Sequence, residues 1–157
     1  MSGKTNACRI LDELGIPYSL HEYVWDDKTM DAVTVAGKID LSPSQVFKTL
    51  VLRGDRNGVL MACIPGDREL DLKALAAVSG NKRVAMVAVK DLQGLTGYVR
   101  GGVSPLGSKK HYPLFLDDSV VTLNLMSISA GRRGLQIFLR GKDLVQATKG
   151  QVVSLCL

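Results

Sequence analysis

The chain has 157 residues, 46% of them apolar, with 20 Lys plus Arg against 15 Asp plus Glu, a net charge of +5. That length fits one domain able to bury a core without disulfides or metals, and the modest positive balance favours encounters with polyanions without identifying any. Three separated cysteines (Cys8, Cys63 and Cys156) support neither a disulfide framework nor a zinc knuckle, and no apolar run is long enough to span a bilayer, so the expectation is a soluble cytoplasmic protein without a membrane partner.

Ala7, Ile10, Leu11 and Leu14 recur at helical spacing after Thr5, an N-cap type, and Gly15 with Pro17 ends the run, which predicts a first helix. "YSLHEYV" alternates imperfectly and reads as a strand, and Met30, Val33, Ala36 and Gly37 predict a second, poorer helix. Ser42, Pro43 and Gln45 have the pattern of a cap, a first-turn proline and a capping-box partner before the strand "FKTLVLR". "GDRNG" then separates that strand from "VLMACIP", predicting a hairpin over residues 47–64. Asp71 and Gly80 bracket a third helix, "VAMV" reads as a strand and "VKDLQGL" as a short helix. After a glycine-rich loop, "LFLD", "VVTLNLMSIS" and "LQIFLR" are strand-like, and "GKDLVQAT" closes as a helix. Both element types without strict alternation give an α+β fold, its sheet mixed and mostly antiparallel.

The familiar catalytic signatures are missing. His21 and His111 are the only histidines, neither at ligand spacing to another donor, and no nucleophile elbow, Walker A or dinucleotide fingerprint occurs. Lys48 is the anomaly, because alternation in "FKTLVLR" sets it on one face with Leu50 and Leu52. It is either a lysine snorkelling its amine to water or an ammonium at a pocket mouth, suited to a phosphate or a developing oxyanion. "GGVSPLGSKK", residues 101–110, is either a turn or a cradle lined by backbone. "SAGRRG", residues 129–134, is either a hairpin turn with exposed arginines or a source of a hydroxyl and two guanidiniums. The doublets Lys82–Arg83, Lys109–Lys110 and Arg132–Arg133 read as solvated loop ends unless the fold makes them converge.

"VFKTLVL", "ELDLKALA", "GYVRGGVSPLGSKK" and "SISAGRRGLQI", in this order and with these gaps, resemble the YbaK/EbsC proteins, trans-editing factors related to the editing insertion of bacterial prolyl-tRNA synthetases. The resemblance runs from about Thr5 to about Thr148 and implies a single editing domain over residues 1–157, its sheet curled toward a partly open barrel with flanking helices. Within the family the likeness leans to the Cys-tRNA(Pro) deacylases. It implies catalytic roles for Lys48 and Gly101, substrate contacts from Tyr23, Gly102, Ser104, Pro105 and Ser129, and tRNA contacts from Lys109, Lys110, Arg132 and Arg133. It implies no metal and no cofactor, with aminoacylated tRNA(Pro) and prolyl-tRNA synthetase as partners. The implied reaction needs no protein nucleophile, since the substrate's own thiol attacks its ester. An Ala-tRNA(Pro) deacylase using water and a non-catalytic tRNA-binding module are the competing readings. Gln136 stands where the family has an acidic residue, and the apolar ending "GQVVSLCL" departs from the charged ending expected.

Overall fold

Residues 4–26 and 31–157 are described by the computed structural model of the chain. Helix α1 (Asn6–Leu14) starts as expected, with the Thr5 hydroxyl accepting the Cys8 N–H at 3.3 Å, and ends where Gly15 turns left-handed at φ 68°. Such a cap is worth about 1 kcal/mol. The helix buries Ala7, Cys8 and Leu11. Strand β1 (Ser19–Glu22) follows, then α2 (Ala32–Lys38), capped by Asp31, whose carboxylate accepts the Thr34 N–H at 2.7 Å. Of the residues that suggested this helix, Met30 lies outside the described residues. The turn at Pro43–Gln45 has its box, with Gln45 Oε1 accepting the Ser42 N–H at 3.0 Å.

The expected hairpin forms from β2 (Phe47–Gly54) and β3 (Gly58–Pro65), with Phe47 opposite Pro65 and Gly54 opposite Gly58. Helix α3 (Leu72–Ser79), strand β4 (Val84–Met86), helix α4 (Val89–Thr96) and strand β5 (Leu114–Asp117) come next. The run "VVTLNLMSIS" is a strand only at its end. Asp118–Thr122 is a 3-10 helix, because the Asp117 carboxylate caps Ser119 and turns the chain before β6 (Met126–Ser129). Strand β7 (Leu135–Leu139), helix α5 (Gly141–Thr148) and strand β8 (Gln151–Val153) complete the chain.

The strands form two sheets. One has the order β1-β7-β6, antiparallel throughout; the other is β4-β2-β3-β5-β8, antiparallel up to β3 and parallel beyond it. An isolated bridge between Val46 and Ser127 joins them, and no barrel closes. The alternation of β2 explains the layering. Phe47 and Val51 point into the main core with Met126, Ile128, Leu135, Ile137, α1 and α5, whereas Leu52 packs with Ile64, Leu75 and Leu155 under α3. The larger sheet is therefore buried on both faces, and each fully buried leucine contributes about 1.5–3 kcal/mol. No helix among the described residues is long and apolar enough to cross a membrane.

Candidate active site

Strand β4 covers the outer edge of β2 only from Leu52 to Gly54, and Val87 extends the contact by one hydrogen bond to the Val51 carbonyl, at 3.1 Å. Among the described residues no strand covers that edge from Lys48 to Leu50. Because Val51 aims its carbonyl outward there, Thr49, two residues earlier, presents its own N–H and C=O in the same direction. That bare edge forms a wall of a cavity of about 490 Å³, a size suited to a small ligand. The opposite walls come from α2, the β6–β7 hairpin and the loop after α4.

Four expected residues meet at this cavity: Tyr23, Lys48, Gly101 and Ser129 all line it. Lys48 is half-buried, and its ammonium donates to the Gly66 carbonyl at 3.3 Å, which leaves two of its three N–H groups for a ligand. Gly101 has φ +87°, a conformation L side chains rarely adopt, and a Cβ there would stand 3.0 Å from Trp25 Nε1. The loop thus brings backbone to the cavity where a side chain has no room. Ser129 is buried, and its hydroxyl accepts the Gly131 N–H at 3.1 Å. The Tyr23 backbone N–H is bound to the Gly134 carbonyl at 3.0 Å, which fixes its ring beside Val35 and Val46.

The remaining expected residues are placed differently. Gly102, Ser104 and Pro105 are buried and do not line this cavity; Ser104 Oγ accepts the Leu106 N–H at 3.3 Å, so its hydroxyl shapes the loop instead of facing a ligand. Pro105 and Lys110 line a separate cavity of about 180 Å³ beside His111. Lys109 and Lys110 are exposed, Arg132 is half-buried, and Arg133 lies against Trp25.

Sequence reasoning missed several lining residues. Asp31, Thr49, Arg100 and Gln136 all reach the cavity. Asp31 is the only carboxylate among the described lining residues, and the backbone N–H and then the side-chain hydroxyl of Thr34 hold it below its ordinary pKa, so it is ionised at neutral pH. The cap pattern Asp31-x-x-Thr34 was a signal that could have found it. Gln136 is buried and accepts a hydrogen bond from the Ser127 hydroxyl, which gives the cavity floor a neutral amide. His21 stacks on Phe138, with ring centroids 3.6 Å apart, and is not among the lining residues. The described lining contains neither a thiol nor an imidazole.

Known proteins of similar sequence and fold show the family of the chain. EbsC of Enterococcus faecalis, assigned as a Cys-tRNA(Pro)/Cys-tRNA(Cys) deacylase, is 43% identical over 148 residues, covering 94% of this chain and 90% of EbsC. A proline–tRNA ligase of Thermosipho africanus is 30% identical over 89 residues, which are 57% of this chain and 16% of the ligase. A crystal structure assigned as a trans-editing enzyme for prolyl-tRNA synthetase shares the fold, with a TM-score of 0.85, 24% identity and 99% of both chains covered. The aminoacyl-tRNA editing domain matches residues 26–147, a span holding three of the four converging residues and all four motifs, and the chain accordingly belongs to the aminoacyl-tRNA editing domain family.

Proposed function

We propose that the protein is a trans-editing deacylase that removes cysteine mischarged onto tRNA(Pro), with the substrate thiol as nucleophile. The observation that carries this reading is the cavity lining: it offers an ammonium, a carboxylate, hydroxyls and bare backbone, but among the described lining residues no thiol, and no imidazole to activate a hydroxyl. The sulfur of the substrate gives up its proton and bonds to the ester carbonyl carbon. The bond from that carbon to the ribose oxygen then breaks, and the oxygen takes up a proton. The products are a cyclic thiolactone and free tRNA.

Lys48 binds phosphate or ribose oxygen, backbone N–H groups near Gly101 polarise the carbonyl, and Tyr23 and Ser129 fix the aminoacyl group and the terminal ribose. Asp31 supplies the countercharge to the substrate's α-ammonium. Lys109, Lys110 and Arg132 neutralise acceptor-stem phosphates, contacts that position a tRNA without identifying it. Identity comes from prolyl-tRNA synthetase as partner. The relation to EbsC supports the cysteine substrate, since a pocket alone separates amino acids differing by a methylene by only about 1–3 kcal/mol.

The test is a side-by-side assay of Cys-, Ala- and Ser-tRNA(Pro) and of Cys-tRNA(Cys), with and without the synthetase. Cys-tRNA(Pro) is expected to be cleaved fastest, and discrimination against Cys-tRNA(Cys) to grow when the synthetase is present. Preferred cleavage of Ala-tRNA(Pro) would replace the thiol mechanism by activated water, and binding without cleavage of any ester would leave a tRNA-binding module.

A further inference from the structure

The two arginines of the β6–β7 turn are adjacent in sequence and unlike in placement. Arg132 makes no side-chain hydrogen bond or ring contact among the described residues. The Arg133 guanidinium carbon, in contrast, lies 4.1 Å from the centroid of the Trp25 ring, and Arg133 Nε donates to the Arg100 carbonyl at 2.7 Å. Trp25 sets its indole edge against Gly101, where a Cβ would stand 3.0 Å from Trp25 Nε1 and 3.5 Å from Arg133 Cγ. The indole N–H is buried and has no acceptor among the described residues, so stacking holds the ring there and no hydrogen bond does. A Cβ on the neighbouring Gly102 would meet the Arg132 and Arg133 backbone at 3.0–3.1 Å.

Three segments distant in sequence, 23–25, 100–102 and 129–134, are thus knitted together by one guanidinium, and each carries a cavity residue: Tyr23, Gly101 or Ser129. Arg133 is exposed, but the contact of its guanidinium with the ring and the bond from Nε to a carbonyl hold it in one position across these segments. We propose that Arg133 and Trp25 form a latch that aims the Gly101 loop at the cavity, making Arg133 a positioning residue. The inference rests on the deacylase reading above.

Single-turnover cleavage of Cys-tRNA(Pro) by the full-length protein tests it. Arg133→Gln and Trp25→Ala are each expected to slow the saturated rate by about 10- to 100-fold, with the half-saturating tRNA concentration changed by less than about twofold, and the double variant is expected to be no slower than the singles. Trp25→Phe keeps a ring face and should stay within about threefold of wild type. Arg132→Gln should show the opposite pattern, a raised half-saturating concentration and a salt slope smaller by about one charge. That same pattern from Arg133→Gln, with an unchanged saturated rate, overturns the latch. Two readouts need no activity. Trp25 is the only tryptophan in the chain, so its emission should shift to the red in Arg133→Gln, and amide exchange at Gly101–Val103 should accelerate while β2 and β3 stay protected. Wild-type exchange at those amides refutes the latch whatever the enzyme assays give. A wild-type protein that cleaves no aminoacyl-tRNA refutes the deacylase reading and leaves the latch to be judged by exchange and emission.

Discussion

At Lys48 the alternation of the strand and the needs of a core conflict, and that conflict made the residue visible in the sequence. An ammonium in a row with Leu50 and Leu52 had to snorkel or to serve a pocket, and the structure sets it half-buried on the cavity wall with a single carbonyl partner. Arg100 broke no local pattern, and the cap pattern at Asp31 and the departure at Gln136 say nothing of a cavity, so only the tertiary arrangement brings the three together there. On the proposed deacylase reading, Lys48→Ala should keep the fold and lower deacylation by about 100-fold or more, because it removes the only ammonium on the cavity wall among the described lining residues. Circular dichroism and a single-turnover assay check both halves, and wild-type turnover would remove Lys48 from the site. For Gly101→Val the structure supplies two separate obstacles, a left-handed φ of +87° and the Trp25 edge 3.0 Å away. The expected outcome is loss of activity together with about 1–3 kcal/mol of stability, read from denaturant unfolding. A stable and active variant would reduce the loop to a plain turn.

Among the elements, those with both a cap and a stop were legible: α1 between Thr5 and Gly15, α3 between Asp71 and Gly80, and the hairpin around "GDRNG". The misreadings cluster around one side chain. Asp117 ends β5, caps the 3-10 helix through Ser119, and accepts the Leu155 N–H at 3.1 Å, so a single carboxylate converts an apparent strand into a turn and pins the apolar tail. That tail is built in. Strand β8 runs parallel to β5, Leu155 is fully buried, and the Asp71 N–H donates to the Leu155 carbonyl at 2.6 Å. Three residues are too few for a periodic signal, and the pairing partner lies more than thirty positions away. Burial alone would raise the Asp117 pKa, but hydrogen bonds from Ser119 and Leu155 outweigh it and hold the group below its ordinary value. A depressed carboxylate pKa contributes stability above the unfolded value, about 3.9, and that contribution is lost as pH falls through the folded value. Asp117→Asn should therefore cost about 1–3 kcal/mol at pH 7, with the gap to wild type narrowing below about pH 4. Parallel denaturation curves isolate this group from the other carboxylates, and a gap independent of pH would mean that packing and not ionisation is at stake.

Across the whole molecule the candidate site belongs to no single element, because the open edge of one sheet faces the hairpin of the other and the loop after α4 closes the space between them. This is why motifs could reveal the components while the cavity itself, and the roles of Gly102, Ser104 and Pro105 inside the loop, stayed illegible. The same architecture keeps every cysteine out of the cavity lining. Cys8 and Cys63 are fully buried in the main core, and Cys156 is half-buried at the tail. Burial pushes the Cys63 thiol up to about 12, and burial followed by the Asp117 charge does the same to Cys156, so neither is a thiolate at neutral pH. None of the three lines the cavity. The combined change Cys8→Ala, Cys63→Ala and Cys156→Ser should therefore retain cleavage of Cys-tRNA(Pro) within about threefold, provided unfolding curves confirm a native fold after the loss of packing that buried deletions bring. The substrate carries the complementary half of the test. Esterifying tRNA(Pro) with 2-aminobutyrate replaces the cysteine thiol by a methyl of similar size, so the amino acid still fits but has nothing to attack with. That ester should resist the wild-type protein, while Cys-tRNA(Pro) is consumed and releases a thiolactone that mass spectrometry of the quenched reaction detects before water opens it. Rapid cleavage of the 2-aminobutyryl ester would assign the nucleophile to water. Loss of activity in a well-folded triple variant would assign it to the protein, and either result would transfer the discriminating power from the substrate's own sulfur to the walls of the cavity.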